Sequence, residues 1–264
     1  EMKGSEDTDS KDDEVLTIEE ASRKLRSPML SFSNTDMAFK DNLLVAGSYH
    51  GFNIYELQDN GIPNLITSVV CPGGQGDVSV VGNILIMSVE ETRGRVDCGL
   101  DGVGPDASPE RFRGIRIFDI SNIKKPKQVG AVQTCRGSHT HSVIAGPTAD
   151  NKIIVYNSGT GRVREEDELD GCIGNIAGDT RTAYFSIDVI EIPINDPASS
   201  RIVSSPRVFA DNDKGIIAGL WRGGDHGDGT QDTRPTNQCH DITVFPSAGI
   251  AAGACSGNGI LFDI

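Results

Sequence analysis

Aromatic residues are scarce in this chain, 5% of its 264 positions, and no apolar run reaches the ~20 residues that cross a bilayer as a helix. A helical membrane span is therefore excluded. No helix-length segment with 3.6-residue apolar spacing lies between its strand-like stretches, and no G-x-G-x-x-G turn follows a strand, so Rossmann and helical readings do not fit. Positive charge is also short. Asp and Glu number 38 against 24 Lys and Arg, and the resulting net charge of −14 repels phosphate backbones and disfavours nucleic acid as a partner. No close C-x-x-C pair offers a structural zinc site, and no G-x-S-x-G elbow offers a serine nucleophile. A Cys239–His240 dyad is disfavoured because neighbours in a strand point to opposite faces; by the same rule His240 should face away from Asp241.

What is present points to β-structure. Hydrophobic residues make up 37% of the chain, enough for a core, and 31 glycines with 12 prolines suit short strands joined by tight turns. Six cysteines, at 71, 98, 135, 172, 239 and 255, are an even set of the kind that forms disulfides in an oxidising compartment. Residues 1–16 are acidic with almost nothing to bury, and read as a flexible tether of the type that follows a removed signal or a lipid-anchored cysteine. Residues 17–30 are a short helix and lead-in: Thr17-Ile-Glu-Glu20 has the form of a capping box.

From residue 31 to 264 the period is two and the chain repeats itself. Residues 36–47, 77–88, 141–144 resuming at 150–156, and 241–253 each read as strand, polar turn, strand. A third strand ending on an acid and Leu or Ile follows at 52–57, 115–120, 186–192 and 260–264. A proline comes next (Pro63, Pro126, Pro197) and then a fourth apolar stretch. Four short strands per unit, repeated, are the mark of propeller blades, because one meander cannot bury both its faces until neighbours stack on it. The fullest unit, residues 77–129, with its Gly-Asn turn, Leu-Ile-Met strand and Gly-Ile-Arg-Ile-Phe-Asp-Ile-Ser run, resembles the LVIVD-repeat β-propellers. The resemblance covers roughly residues 31–264. It implies an all-β propeller of four-stranded blades with long loop insertions, and a secreted or surface-anchored bacterial protein. It implies little about chemistry. The fourth unit reaches Ile264 before its proline and outer strand, so the propeller is expected to be incomplete as given. Ser27-Pro-Met-Leu-Ser-Phe32 is one candidate for the missing strand.

In a propeller the innermost strands start beside a central channel, which would bring Asp36, Asp77, His141 and Asp241 to one mouth. His139 stands two residues before His141 and on the same side. One divalent cation is the expected cofactor, held by some of Asp36, Asp77, His139, His141 and Asp241: calcium if oxygens dominate, a transition metal if the histidines do. The competing reading for Asp36 and Asp77 is a repeat-wide structural bond between blades. His139 and His141 depart from the repeat and are the stronger ligand candidates.

Three insertions, about 90–113, 159–181 and 220–238, are expected on one face. Trp221, Arg222, Asp225, His226 and Asp228 are their candidate ligand-facing residues. Residues 225–232 alternate oxygen donors with glycine but lack the EF-hand order and its closing glutamate. Cys239 and Cys255 sit at the open end of one hairpin and are placed to bridge. Cys98 with Cys172 would pin two insertions together, one of fifteen possible schemes. The leading functional expectation is a binding or scaffold module for a protein, glycan or cell-envelope partner, outside the cell, in the periplasm or on the outer surface. The alternative is a metal-dependent hydrolase or oxidoreductase with its cation on the axis.

Overall fold

The computed structural model describes residues 34–174, 181–184, 186–209 and 221–264. The expected tether, short helix and candidate closing strand all fall before residue 34, outside the described residues.

The sequence repeat becomes four antiparallel sheets. Blade 1 is β1 (Asn34–Lys40), β2 (Leu43–Ser48), β3 (Gly51–Leu57) and β4 (Pro63–Val70) in sequence order. Blade 2 is β5 (Val78–Val81), β6 (Ile84–Val89), β7 (Gly114–Asp119) and β8 (Lys127–Gln133), and blade 3 is β9 (His141–Ala145), β10 (Lys152–Asn157), β11 (Asp188–Pro193) and β12 (Arg201–Ser204). Blade 4 has three strands, β13 (Cys239–Phe245), β14 (Ile250–Cys255) and β15 (Asn258–Asp263). Among the described residues there is no α-helix, only single turns of 3-10 helix at Pro197–Ser199 and Pro246–Ala248.

Two-residue connections set the register. Asp41, Gly82 and Gly257 occupy the left-handed region that such turns require. Gly51 and Gly114 open the third strand of blades 1 and 2 at equivalent places, and a Cβ on either would stand 2.1 Å from the carbonyl oxygen of Val69 or Val132 across the ladder. Only glycine lets the outer strand approach there.

The blades stack face to face, each junction filled by its own apolar cluster. Val45, Phe52 and Ile54 of blade 1 meet Val78, Leu85, Met87 and Phe118 of blade 2. The other face of blade 2 gives Ile84, Ile86, Ile115 and Ile117 to Ile153, Val155, Ile190 and Ile192 of blade 3. Ile187 and Phe209 pack with Ile242, Ala251 and the Cys239–Cys255 pair of blade 4. Strand β6 is buried on both faces, which is why its sequence, Ile-Leu-Ile-Met-Ser-Val, shows no polar alternation. The innermost strands touch in succession, β1 with β5, β5 with β9 and β9 with β13, giving a propeller-like arrangement.

All six cysteines are paired: Cys71–Cys98, Cys135–Cys172 and Cys239–Cys255. The hairpin bridge is the one expected, but the Cys98–Cys172 pairing is corrected. Cys71 and Cys135 follow the outer strands of blades 1 and 2, and each ties to the insertion of the next blade. Each bridge thus ties an insertion to the preceding blade, and no disulfide joins two insertions to each other. Such bridges belong to an oxidising, extracellular-type environment, and no described helix is long and apolar enough to cross a membrane.

Candidate functional site

The starts of the innermost strands converge as a radial arrangement requires. The Asp36 carboxylate accepts the backbone N–H of Val78 in the next blade at 3.0 Å, and the Asp77 carboxylate accepts the backbone N–H of His141 in the blade after that, also at 3.0 Å. These two acids therefore act as clasps between blades, each engaging one carboxylate oxygen, Oδ2, with the next blade. Asp77 also lies 3.1 Å from His141 Nδ1. Burial alone would raise its pKa, but hydrogen bonds from the His141 ring and backbone, with the ring's charge, hold it below the ordinary carboxylate value. Asp36 is raised instead, first by burial and then by the charge of Asp77, against the Val78 N–H. In blade 4 Asp241 accepts the N–H of its own neighbour Ile242.

His141 is buried. Its Nδ1 is 2.9 Å from the Ser88 hydroxyl, while its Nε2 has no hydrogen-bond partner among the described residues. His139 is placed differently. Its Nδ1 is 2.5 Å from a Glu90 carboxylate oxygen, and its Nε2 is 2.9 Å from Nε2 of His240, a residue 101 positions further on. The Glu90 hydrogen bond, aided by the charges of Glu90, Asp77 and Asp241, raises the His139 pKa against the opposing effect of burial. Thr140 also donates to the His240 carbonyl at 2.5 Å, fixing blade 3 to blade 4 beside the pair.

His240, expected to face away from Asp241, meets His139 across the junction of blades 3 and 4. The β13–β14 register shifts between Cys239 and Asp241, so the alternation used to orient His240 from Asp241 breaks at that residue. Glu90, the first residue of the first insertion, was missed because it lies outside the strand-start repeat. Among the described residues no group of three or more His, Cys, Asp or Glu side chains is gathered to hold a metal. Of the five residues expected to ligate, Asp36, Asp77 and His141 Nδ1 are committed to protein partners. Beside His240 lies an open cleft of about 690 Å³ with Gln238, Ser256 and Asn258 in its wall.

The insertions are anchored from beneath by arginines that the sequence reading did not single out. Arg111 and Arg164 share the buried carboxylate of Glu168, the latter at 2.5 Å. Arg113 donates to the carbonyls of Glu90, Arg136 and Arg162 at 3.1–3.2 Å. Arg136 reaches Gly161 O at 2.9 Å, Asn237 O at 3.0 Å and Gln238 Oε1 at 2.7 Å, joining two insertions. Burial and neighbouring arginine charge push Arg136 and Arg164 down to about 10. Of the candidate loop residues, Trp221 stacks on His226 with ring centroids 4.0 Å apart, and both bond to the Thr233 hydroxyl. Trp221 also lies against Gly257, so packing accounts for its position. Arg222, Asp225 and Asp228 belong to the same glycine-rich loop, where Asp225 and Asp228 are exposed.

No family model matches the chain, and no curated protein matches it at a significant level. Among solved structures it is similar to the computationally designed Ika4 protein, with a TM-score of 0.39 and 12% identity over 88% of this chain and 91% of that one. It is also similar to a protein from Lactobacillus plantarum, with a TM-score of 0.40 and 11% identity over 88% and 67%. A third likeness is to the WD40 β-propeller domain of Doa1, with a TM-score of 0.22 and 11% identity over 86% and 91%. All three TM-scores lie below 0.5, and these likenesses carry no argument about activity.

Proposed function

We propose that the chain is a secreted or surface-attached β-propeller of the LVIVD-repeat type, acting as a binding or scaffold module for a protein, glycan or cell-envelope partner. The observation that carries this reading is how its loops are held. Two insertions are bridged to the preceding blade by disulfides, and the buried guanidinium of Arg136 joins the second insertion to the third. Loops fixed in advance lose little entropy on binding, which favours a recognition surface over a merely tolerated insertion. The exposed members Asp225 and Asp228, with Arg222, are the contact residues assigned to it. Binding of the purified chain to glycan arrays and to isolated cell-envelope fractions tests this. The reading requires saturable binding that an Arg222→Ala, Asp225→Ala, Asp228→Ala triple variant weakens at least tenfold. Absence of binding, or binding untouched by the triple variant, refutes it.

A second reading, a metal-dependent enzyme, is favoured by one specific observation, the His139–His240 pair beside an open cleft.

A further inference from the structure

We infer that His139 and His240 form a two-imidazole site for one divalent first-row transition-metal ion, with Glu90 orienting the site from behind. The inference concerns metal binding alone and stands whether or not the loops recognise a partner. It starts from the facing Nε2 atoms, 2.9 Å apart. Without an ion, two imidazole lone pairs at that distance are reconciled only by a single shared proton. A metal ion replaces that proton and uses both lone pairs.

Three features favour the ion. The first is the Glu90 carboxylate on His139 Nδ1 at 2.5 Å. In the neutral ring this places the proton on Nδ1 and leaves Nε2 as a lone pair facing His240, the arrangement in which a carboxylate fixes the tautomer of a metal-ligating histidine. The Glu90 side chain is itself seated against Gly74, where a Cβ would lie 2.6 Å from Glu90 Cγ. The second is geometry. With metal–nitrogen bonds of about 2.0–2.1 Å, donors 2.9 Å apart subtend about 90°, whereas tetrahedral zinc needs about 3.3 Å between them. Neighbouring positions at 90° are those of tetragonal or octahedral coordination, which suits Cu(II) and Ni(II) among imidazole-binding ions. The third is access. The His139 side chain is 13% exposed and His240 is exposed beside the cleft. A cation can enter, and the positions not filled by the two imidazoles are open to water or a bound ligand. Calcium is disfavoured because the donors are nitrogen.

The competing account is that the two rings make only a hydrogen bond between blades, in addition to the Thr140 bond. Titration of chelator-treated protein with CuCl2 and with NiCl2, read by calorimetry and, for copper, by electron paramagnetic resonance, decides between them. The inference expects one Cu(II) per chain, with a spectrum showing two coordinated imidazole nitrogens. His139→Ala and His240→Ala should each weaken binding at least 100-fold, Glu90→Gln should weaken it about 10–100-fold, and His50→Ala, at an exposed turn, should leave it unchanged. Because His139 stands at the blade junction, His240→Gln on the exposed ring is the second variant, with circular dichroism as the check on folding. The inference is overturned if the wild type binds no copper at micromolar concentration, or if folded His240→Gln binds it as the wild type does.

Discussion

Asp36 and Asp77 occupy the same place in successive blades and each accepts a backbone N–H from the next blade, yet their environments predict opposite responses to the same substitution. The Asp77 side chain is 18% exposed and faces both the N–H and the ring of His141. Its pKa lies below the ordinary 3.8, so the folded chain prefers the carboxylate. Asp77→Asn keeps one acceptor oxygen but removes the charge facing the imidazole, a loss of about 1.5–3 kcal/mol for a charge-assisted hydrogen bond. Asp36 is raised above 3.8, so its ionised form opposes folding at neutral pH; Asp36→Asn keeps an acceptor for Val78 and removes repulsion from Asp77. That variant should lie within about 0.5 kcal/mol of wild type or be more stable. The pH dependence carries the sign. A depressed carboxylate stabilises above its unfolded pKa and loses that contribution as pH falls through its folded value, so the Asp77→Asn deficit should shrink below pH 3.8. A raised carboxylate does the reverse, so any gain from Asp36→Asn should vanish as pH falls through the raised value. Urea unfolding of both variants under non-reducing conditions at pH 7 and pH 3 measures this. Asp77→Asn matching wild type at pH 7, or Asp36→Asn being the more damaging of the two, would refute the reasoning.

Two further substitutions test the packing. Replacing Cys135 and Cys172 together by Ser opens a bridge spanning 37 residues and should cost about 3–4 kcal/mol on loop entropy, with hydrogen exchange rising first in the second insertion. Gly257→Ala combines a φ of 72° with a Cβ 2.2 Å from Trp221 Cδ1, and should cost about 2–4 kcal/mol and shift the emission of the single tryptophan. Gly171→Ala, at a similar φ with open space around it, should cost only about 1 kcal/mol and leave emission unchanged.

The blade architecture was legible because its causes are local and repeated. Alternating strands recur in all four units and the acid–proline spacing in three of them, and the Cys239–Cys255 bridge follows from hairpin ends. The other two bridges were legible in principle. Cys71 and Cys135 each lie six residues before the first residue of the clasp position, so equivalent cysteines should find equivalent partners. The site was only half visible. Repeat alignment found His139 as a departure, but His240 was turned away by a strand alternation that the shift at Cys239 interrupts. Glu90 stands at an insertion boundary with no repeat signal of its own. Arg113 and Arg136 were hidden because a guanidinium satisfied mainly by backbone carbonyls leaves no acidic partner in sequence to betray it, and Arg111 meets Glu168 only through the folded insertions. Arg116, flanked by Ile115 and Ile117 in a strand, is a further fully buried arginine.

The most direct measurement is a nuclear Overhauser spectrum of the imidazole protons in heavy water, where only five histidines contribute and single-histidine variants assign them. With ring centroids 4.6 Å apart, His139 and His240 should show a mutual cross-peak, and His226 should show one to Trp221 at 4.0 Å as an internal standard. If the standard is seen and the His139–His240 cross-peak is absent, the strand starts of blades 3 and 4 do not meet at one mouth and the account fails.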